Sequence, residues 1–165
     1  MTAFAPSLAE VVRCAGGWLF DQVMAGWDVT VVTADECDSR APRILGARWC
    51  HMEEALAAPV AGPCLEAVAL RTDLYVGDER VRRLVLRAAE ANDAEIRLWG
   101  DAWPDDFDDH AGDVRHELSI AARAFKAQAL HAVGVPAVAD ETIVAPGHEM
   151  FRHGEIRRPA LAVAR

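Results

Sequence analysis

A helix-like segment from Ser7 to Ala25 stops at Gly26 and passes, with no hairpin turn, into the β-branched run Trp27-Asp28-Val29-Thr30-Val31-Val32-Thr33. A buried strand has to be covered by a helix on its face, so this handover is the grammar of a layered α/β domain. The segment carries a capping box, Ser7 followed by Glu10, and an apolar face of Leu8, Val11, Val12, Ala15, Trp18, Leu19 and Val23. Gly16-Gly17 in its middle costs on the order of 1 kcal/mol per glycine against alanine. Close packing of this helix on the sheet is the expected reason for the pair. It precedes the first strand, whereas a dinucleotide loop follows one, so it is not a phosphate cradle.

The same alternation recurs along the chain. After the first strand, Arg40 to Gly46 reads as a short helix, Ala47 to His51 as a second strand and Glu53 to Ala58 as a brief helix broken by Pro59 and Gly62-Pro63. Leu65 to Leu70 reads as a third strand. Asp78 then caps a helix whose face is Val81, Leu84, Val85 and Ala88, and Glu95 to Trp99 is a fourth strand cut off by Gly100. A long final helix is predicted over Asp113 to Val133, with Val114, Leu118, Ala121, Ala122, Phe125 and Ala129 on one face. The pattern predicts a Rossmann-like or flavodoxin-like three-layer sandwich with a mostly parallel sheet of about four to five strands. Residues 1–134 form one α/β domain in this reading. Residues 135–165, rich in turn residues, with one short strand at Glu141 to Val144 and a basic end around Arg152 to Pro159, form a C-terminal extension or arm.

Composition narrows the function classes. With 165 residues, 52% of them hydrophobic and 26% charged, the chain fills one core and not two. A net charge of −9 opposes general binding to nucleic acid or to an anionic membrane surface. The N-terminal stretch lacks a charged n-region and a long apolar core, and no later run approaches about 18 apolar residues. A soluble cytoplasmic protein is expected. Cys14, Cys37, Cys50 and Cys64 contain no C-x-x-C pair and read as reduced thiols.

In open α/β sheets ligands bind outside the carboxyl ends of the strands. That rule gathers Asp35 and Asp38 after the first strand, His51 and Glu53 after the second, Arg71 and Asp73 after the third, and Asp101 after the fourth. Such carboxylates either bind a hard cation such as Mg²⁺ or cap helices, and no metal-ligand spacing accompanies them. Arg40 and Arg43, three residues apart on one helical face, are the best anion-binding candidates, with Arg48 nearby. Asp101, Asp105, Asp106, Asp108 and Asp109 form an acidic run around Trp103 and Phe107 that reads as a loop pinned to the body or as a recognition surface. His110, His116, His148 and His153 lack an H-E-x-x-H arrangement. Ser39, Ser119 and Thr142 lie in no G-x-S-x-G elbow.

The leading expectation is a non-catalytic α/β module that binds a protein partner, a second copy of itself or a small anionic ligand through Asp35, Asp38, Arg40, Arg43, Asp73 and Asp101. The alternative is a Mg²⁺-dependent phosphoryl-transfer or hydrolytic enzyme using the aspartates at the carboxyl edge. Nucleotide-cofactor binding ranks last, because no glycine loop follows the first strand. The sequence names no cofactor.

Overall fold

Strict alternation along short strands sets the layers. In β1 (Thr2–Ala5), Ala3 and Ala5 face one side of the sheet and Phe4 the other; β2 (Thr30–Thr33) divides Val31 from Val32 in the same way, and β4 (Ala67–Arg71) divides Ala69 from Val68 and Leu70. Each strand therefore feeds two cores. One is closed by α1 (Leu8–Met24), α2 (Arg40–Ile44) and α6 (Ile120–Ala132); the other by α3 (Met52–Ala57), α4 (Thr72–Gly77) and α5 (Glu79–Asn92). This is a computed structural model, and it describes residues 1–36, 40–57, 65–92, 94–101, 103–107, 112–135 and 147–153.

The sheet has seven strands in the order β3-β2-β1-β4-β5-β7-β6, with β3 at Arg48–His51, β5 at Glu95–Trp99, β6 at Gly112–Glu117 and β7 at His148–His153. The first five run parallel; β7 is antiparallel to both its neighbours. The α/β class is as the sequence predicts, but the strand count is not. Thr2–Ala5, which is not among the predicted strands, is a central, fully buried one. The predicted helix over Asp113 to Val133 is strand β6 followed by α6. Ser119 separates the two by accepting the Ala122 N–H on its hydroxyl at 3.0 Å, as an N-cap does. Of the segment read as an extension, His148–His153 lies inside the sheet, paired along its length with β6. The strand expected at Glu141 to Val144 falls outside the described residues.

The glycine pair of α1 has a different neighbour from the one expected. A Cβ on Gly17 would lie 2.6 Å from both Cδ atoms of Leu118, and one on Gly16 would lie 3.6 Å from Lys126 Cγ. The close approach is thus to α6 and the turn before it. Gly17→Ala is expected to lower stability by about 1–2 kcal/mol, the cost of forcing the buried Leu118 aside exceeding the gain in helix propensity. Chemical denaturation with an unchanged m-value measures it; a variant as stable as the parent would show that Leu118 has room to turn.

On the opposite face, Asp106 receives two hydrogen bonds from Arg82, each 2.8 Å, and one from the Tyr75 hydroxyl at 2.9 Å. Trp103 and Phe107 pack beside them with ring centroids 5.2 Å apart, so the acidic run is pinned to the body at this point. Arg82 holds the Asp106 carboxyl below its ordinary value of 3.8, and burial pushes the Tyr75 phenol up. A depressed folded value means that the stabilisation is complete above pH 3.8 and is lost as pH falls through the folded value. Asp106→Asn is therefore expected to flatten the acid limb of a plot of melting temperature against pH. Parallel limbs in the two proteins would contradict it.

Candidate functional site

The order of strands reverses direction between β1 and β4, and the chain leaves these neighbours toward opposite faces. A crevice opens at such a switch point, outside the carboxyl ends. Here Glu10 enters from the first turn of α1, immediately after β1, and Arg71 is the last residue of β4. Arg71 Nη1 donates to Glu10 Oε1 in a short ion pair, while its Nε and Nη2 donate to Asp73 Oδ2 at 2.9 and 2.7 Å. The Glu10 side chain is 14% exposed and that of Arg71 37%. The Glu10 and Asp73 carboxylates raise the Arg71 guanidinium above its already high value, so its charge is permanent.

The pair lines a cavity of about 410 Å³, whose wall also includes Trp99, Gly100 and Asp101 at the end of β5, and Lys126, His148 and Glu149 from α6 and β7. Its volume is in the range of small-molecule sites. Gly100 turns the chain out of β5 at a φ of 120°, a left-handed value that glycine adopts freely, and this places the exposed Asp101 at the rim. Cys14 also borders the cavity; burial pushes its thiol up, which keeps it protonated and unreactive.

Beneath the opening lies a charged pair with almost no solvent contact. Lys126 Nζ donates to Glu149 Oε1 at 2.5 Å and to the Arg13 carbonyl at 2.7 Å; Glu149 accepts the backbone N–H groups of Gly17 and Trp18 at 3.0 and 2.7 Å. The two side chains are 1% and 2% exposed. Burial pushes the Glu149 carboxyl up, opposed by Lys126 and the two N–H donors.

The residues singled out in the sequence are distributed unevenly around this cavity. Asp101 is on its wall, and Asp73 reaches it through Arg71. Asp35 accepts the Leu8 N–H on its two oxygens at 3.2 and 3.1 Å, holding the start of α1. Arg40 and Arg43 are exposed on α2 and do not line the cavity; Asp38 lies outside the described residues. Sequence reasoning passed over Glu10 as a capping residue, and over Lys126, His148 and Glu149. The one available signal was the Gly16-Gly17 pair, which marks where Lys126 and Glu149 meet α1. Among the described residues no group of three or more His, Cys, Asp or Glu side chains is arranged to hold a metal, and no helix is long and apolar enough to cross a membrane.

No protein-family model matches the chain, and no curated protein does. Solved structures do. A deacetylase–teicoplanin complex from the teicoplanin biosynthesis pathway superposes with a TM-score of 0.66 at 15% identity, covering 94% of this chain and 98% of the other. The A40926 pseudoaglycone deacetylase Dbv21 gives 0.65 at 17% identity over 95% and 96%, and the zinc-inhibited form of teicoplanin deacetylase Orf2 gives 0.61 at 14% over 98% and 99%. This chain shares their fold. The expectation of a non-catalytic binding module is corrected by these likenesses: all three of these structures, at TM-scores of 0.61–0.66, are of deacetylases. Of the aspartates through which such a module was expected to bind, Asp101 bounds the cavity. For the Mg²⁺ of the alternative expectation, no group of three or more such ligands comes together among the described residues.

Proposed function

We propose that this protein is a hydrolase that removes an acyl group, of the deacetylase kind, and that its reaction takes place in the cavity at the β1–β4 switch point. The order β3-β2-β1-β4-β5 supports the Rossmann-like over the flavodoxin-like form of the sandwich. The observation that carries the functional reading is the Glu10–Arg71 pair, a carboxylate and a fixed cation side by side on the cavity wall.

In this reading Glu10 takes a proton from a water as its oxygen bonds to the acyl carbonyl carbon, and the carbonyl electron pair becomes an oxyanion facing Arg71. Collapse breaks the bond to the leaving nitrogen or oxygen, which recovers the proton from Glu10. The leaving products are a carboxylic acid and an amine or alcohol. Arg71 can turn toward the oxyanion without losing its counter-charge, because Asp73 holds its other edge. Asp101 and His148 contact the leaving group at the rim. Asp35 acts indirectly, by fixing the turn that carries Glu10, and this step assigns no role to Arg40 or Arg43.

The test is acetate release by the full chain from acetylated amino sugars and acetyl esters, with Glu10→Gln as the comparison. Release that disappears in the variant supports the reading. Release from none of these substrates, or equal release by both proteins, would overturn it.

A further inference from the structure

Arg13 and Gly17 are four residues apart, so the Arg13 carbonyl and the Gly17 N–H are the two ends of one rung of helix α1. Lys126 engages the first and Glu149 the second, and the two side chains bond to each other. Glu149 also accepts the Trp18 N–H of the next rung, so helix α6 and strand β7 grip the middle of α1 through an ion pair shut off from water. The rung is one turn beyond Glu10, and the helix between them carries Arg13 and Cys14 on the cavity wall. Helices bend where side chains enter the hydrogen-bond ladder, so a grip at this place fixes the direction of the turn that precedes it.

We infer that Lys126 and Glu149 are positioning residues for the hydrolytic site: they set the first turn of α1 so that Glu10 meets Arg71 at the cavity. The inference rests on the reading of that cavity as the site of acyl hydrolysis. Cohesion alone does not call for the pair, since a buried ion pair can be exchanged for apolar side chains of similar volume with no loss of stability, and often with a gain. Apolar side chains there would pack α6 against β7 and α1 equally well, but could not hold a carbonyl and two N–H groups of α1 in place. The glycines make the grip achievable: a Cβ on Gly17 would meet Leu118 at 2.6 Å and keep α1 from settling on this partner.

The test is the full chain carrying Lys126→Met and Glu149→Leu together, which leaves neither charge stranded. Melting temperature is expected to stay at or above that of the parent. In acetate release kcat is expected to fall tenfold or more with KM within twofold, because Arg71, Asp101 and His148 stay on the wall while the base is displaced. The Arg71 Nε–H and Glu10 amide resonances are expected to move, although neither group bonds to a substituted side chain. Parental kcat, or unmoved Glu10 and Arg71 resonances, would overturn the positioning role. A parent chain that releases no acetate would overturn the hydrolytic reading instead, and the resonances would then decide the positioning role alone. If the double variant does not fold, the same resonances are read in Glu149→Gln, where unmoved signals count against the inference.

Discussion

Replacing Glu149 alone by leucine is expected to destabilise the protein by about 3–5 kcal/mol, the range for removing one partner of a buried ion pair. Lys126, at 1% exposure, would be left with a full charge and only the Arg13 carbonyl as acceptor. The Gly17 and Trp18 N–H groups would also lose their bonds to the carboxylate. Against a typical total of about 5–15 kcal/mol this is a large fraction. For a chain of this size it corresponds to a fall in melting temperature of roughly 6–20 °C. Calorimetry or a denaturant midpoint measures it. The contrast with the double variant is the informative part. A single variant no less stable than the parent would show that Lys126 finds water or another acceptor, and that the pair is not sealed.

Glu10→Gln is expected to reduce acyl hydrolysis by about 10²–10⁴, the usual contribution of a positioned acid–base group. That is about 3–5 kcal/mol of transition-state stabilisation. Glutamine keeps the size of the side chain and an acceptor for Arg71, so the wall should be unaltered. It removes the basicity that takes a proton from water. The start of α1 does not depend on the carboxylate, because the Ser7 hydroxyl accepts the backbone N–H of residue 10 and Asp35 accepts that of Leu8. Melting temperature is therefore expected to change by only a few degrees. A loss of activity accompanied by a collapse in stability would assign Glu10 to structure; full activity would remove it from the chemistry.

How much of this was legible depended on whether a residue's surroundings could be read from its neighbours in the chain. Helix α1 and strands β2, β4 and β5 announce themselves by periodicity, and their observed bounds fall within two or three residues of those predicted. Strand β1 does not, because two of its four residues are alanines that lie in the core shared with α1, where a small side chain lets the helix come close. In α6 the buried stripe is Ala122, Lys126 and Ala129, with a lysine at its centre, while Phe125 is 44% exposed and stacks on Phe20. A hydrophobic reading therefore turns the helix by one position. Strand β7 hides its pattern for the same reason, with Glu149 at an inward-facing position. The carboxyl-edge rule reached Asp73 and Asp101, since topology is enough to place them. Lys126 and Glu149 were out of reach: each looks like a surface charge until the other, 23 residues away, is brought against it.

The insertion of β7 between β5 and β6 has a consequence for the order in which the molecule can be assembled. Glu149 bonds to backbone groups of Gly17 and Trp18 from 132 and 131 residues away. During synthesis a chain that has emerged only as far as α6 already contains α1, β5 and β6, yet the last two have nothing between them. Lys126 then has no carboxylate to meet at the middle of the first helix. Closing so long a loop is slow, and until it closes the rim of β5 presents unpaired backbone. The nascent protein is therefore most exposed to mispairing just before its final strand arrives, and that strand brings the missing countercharge with it.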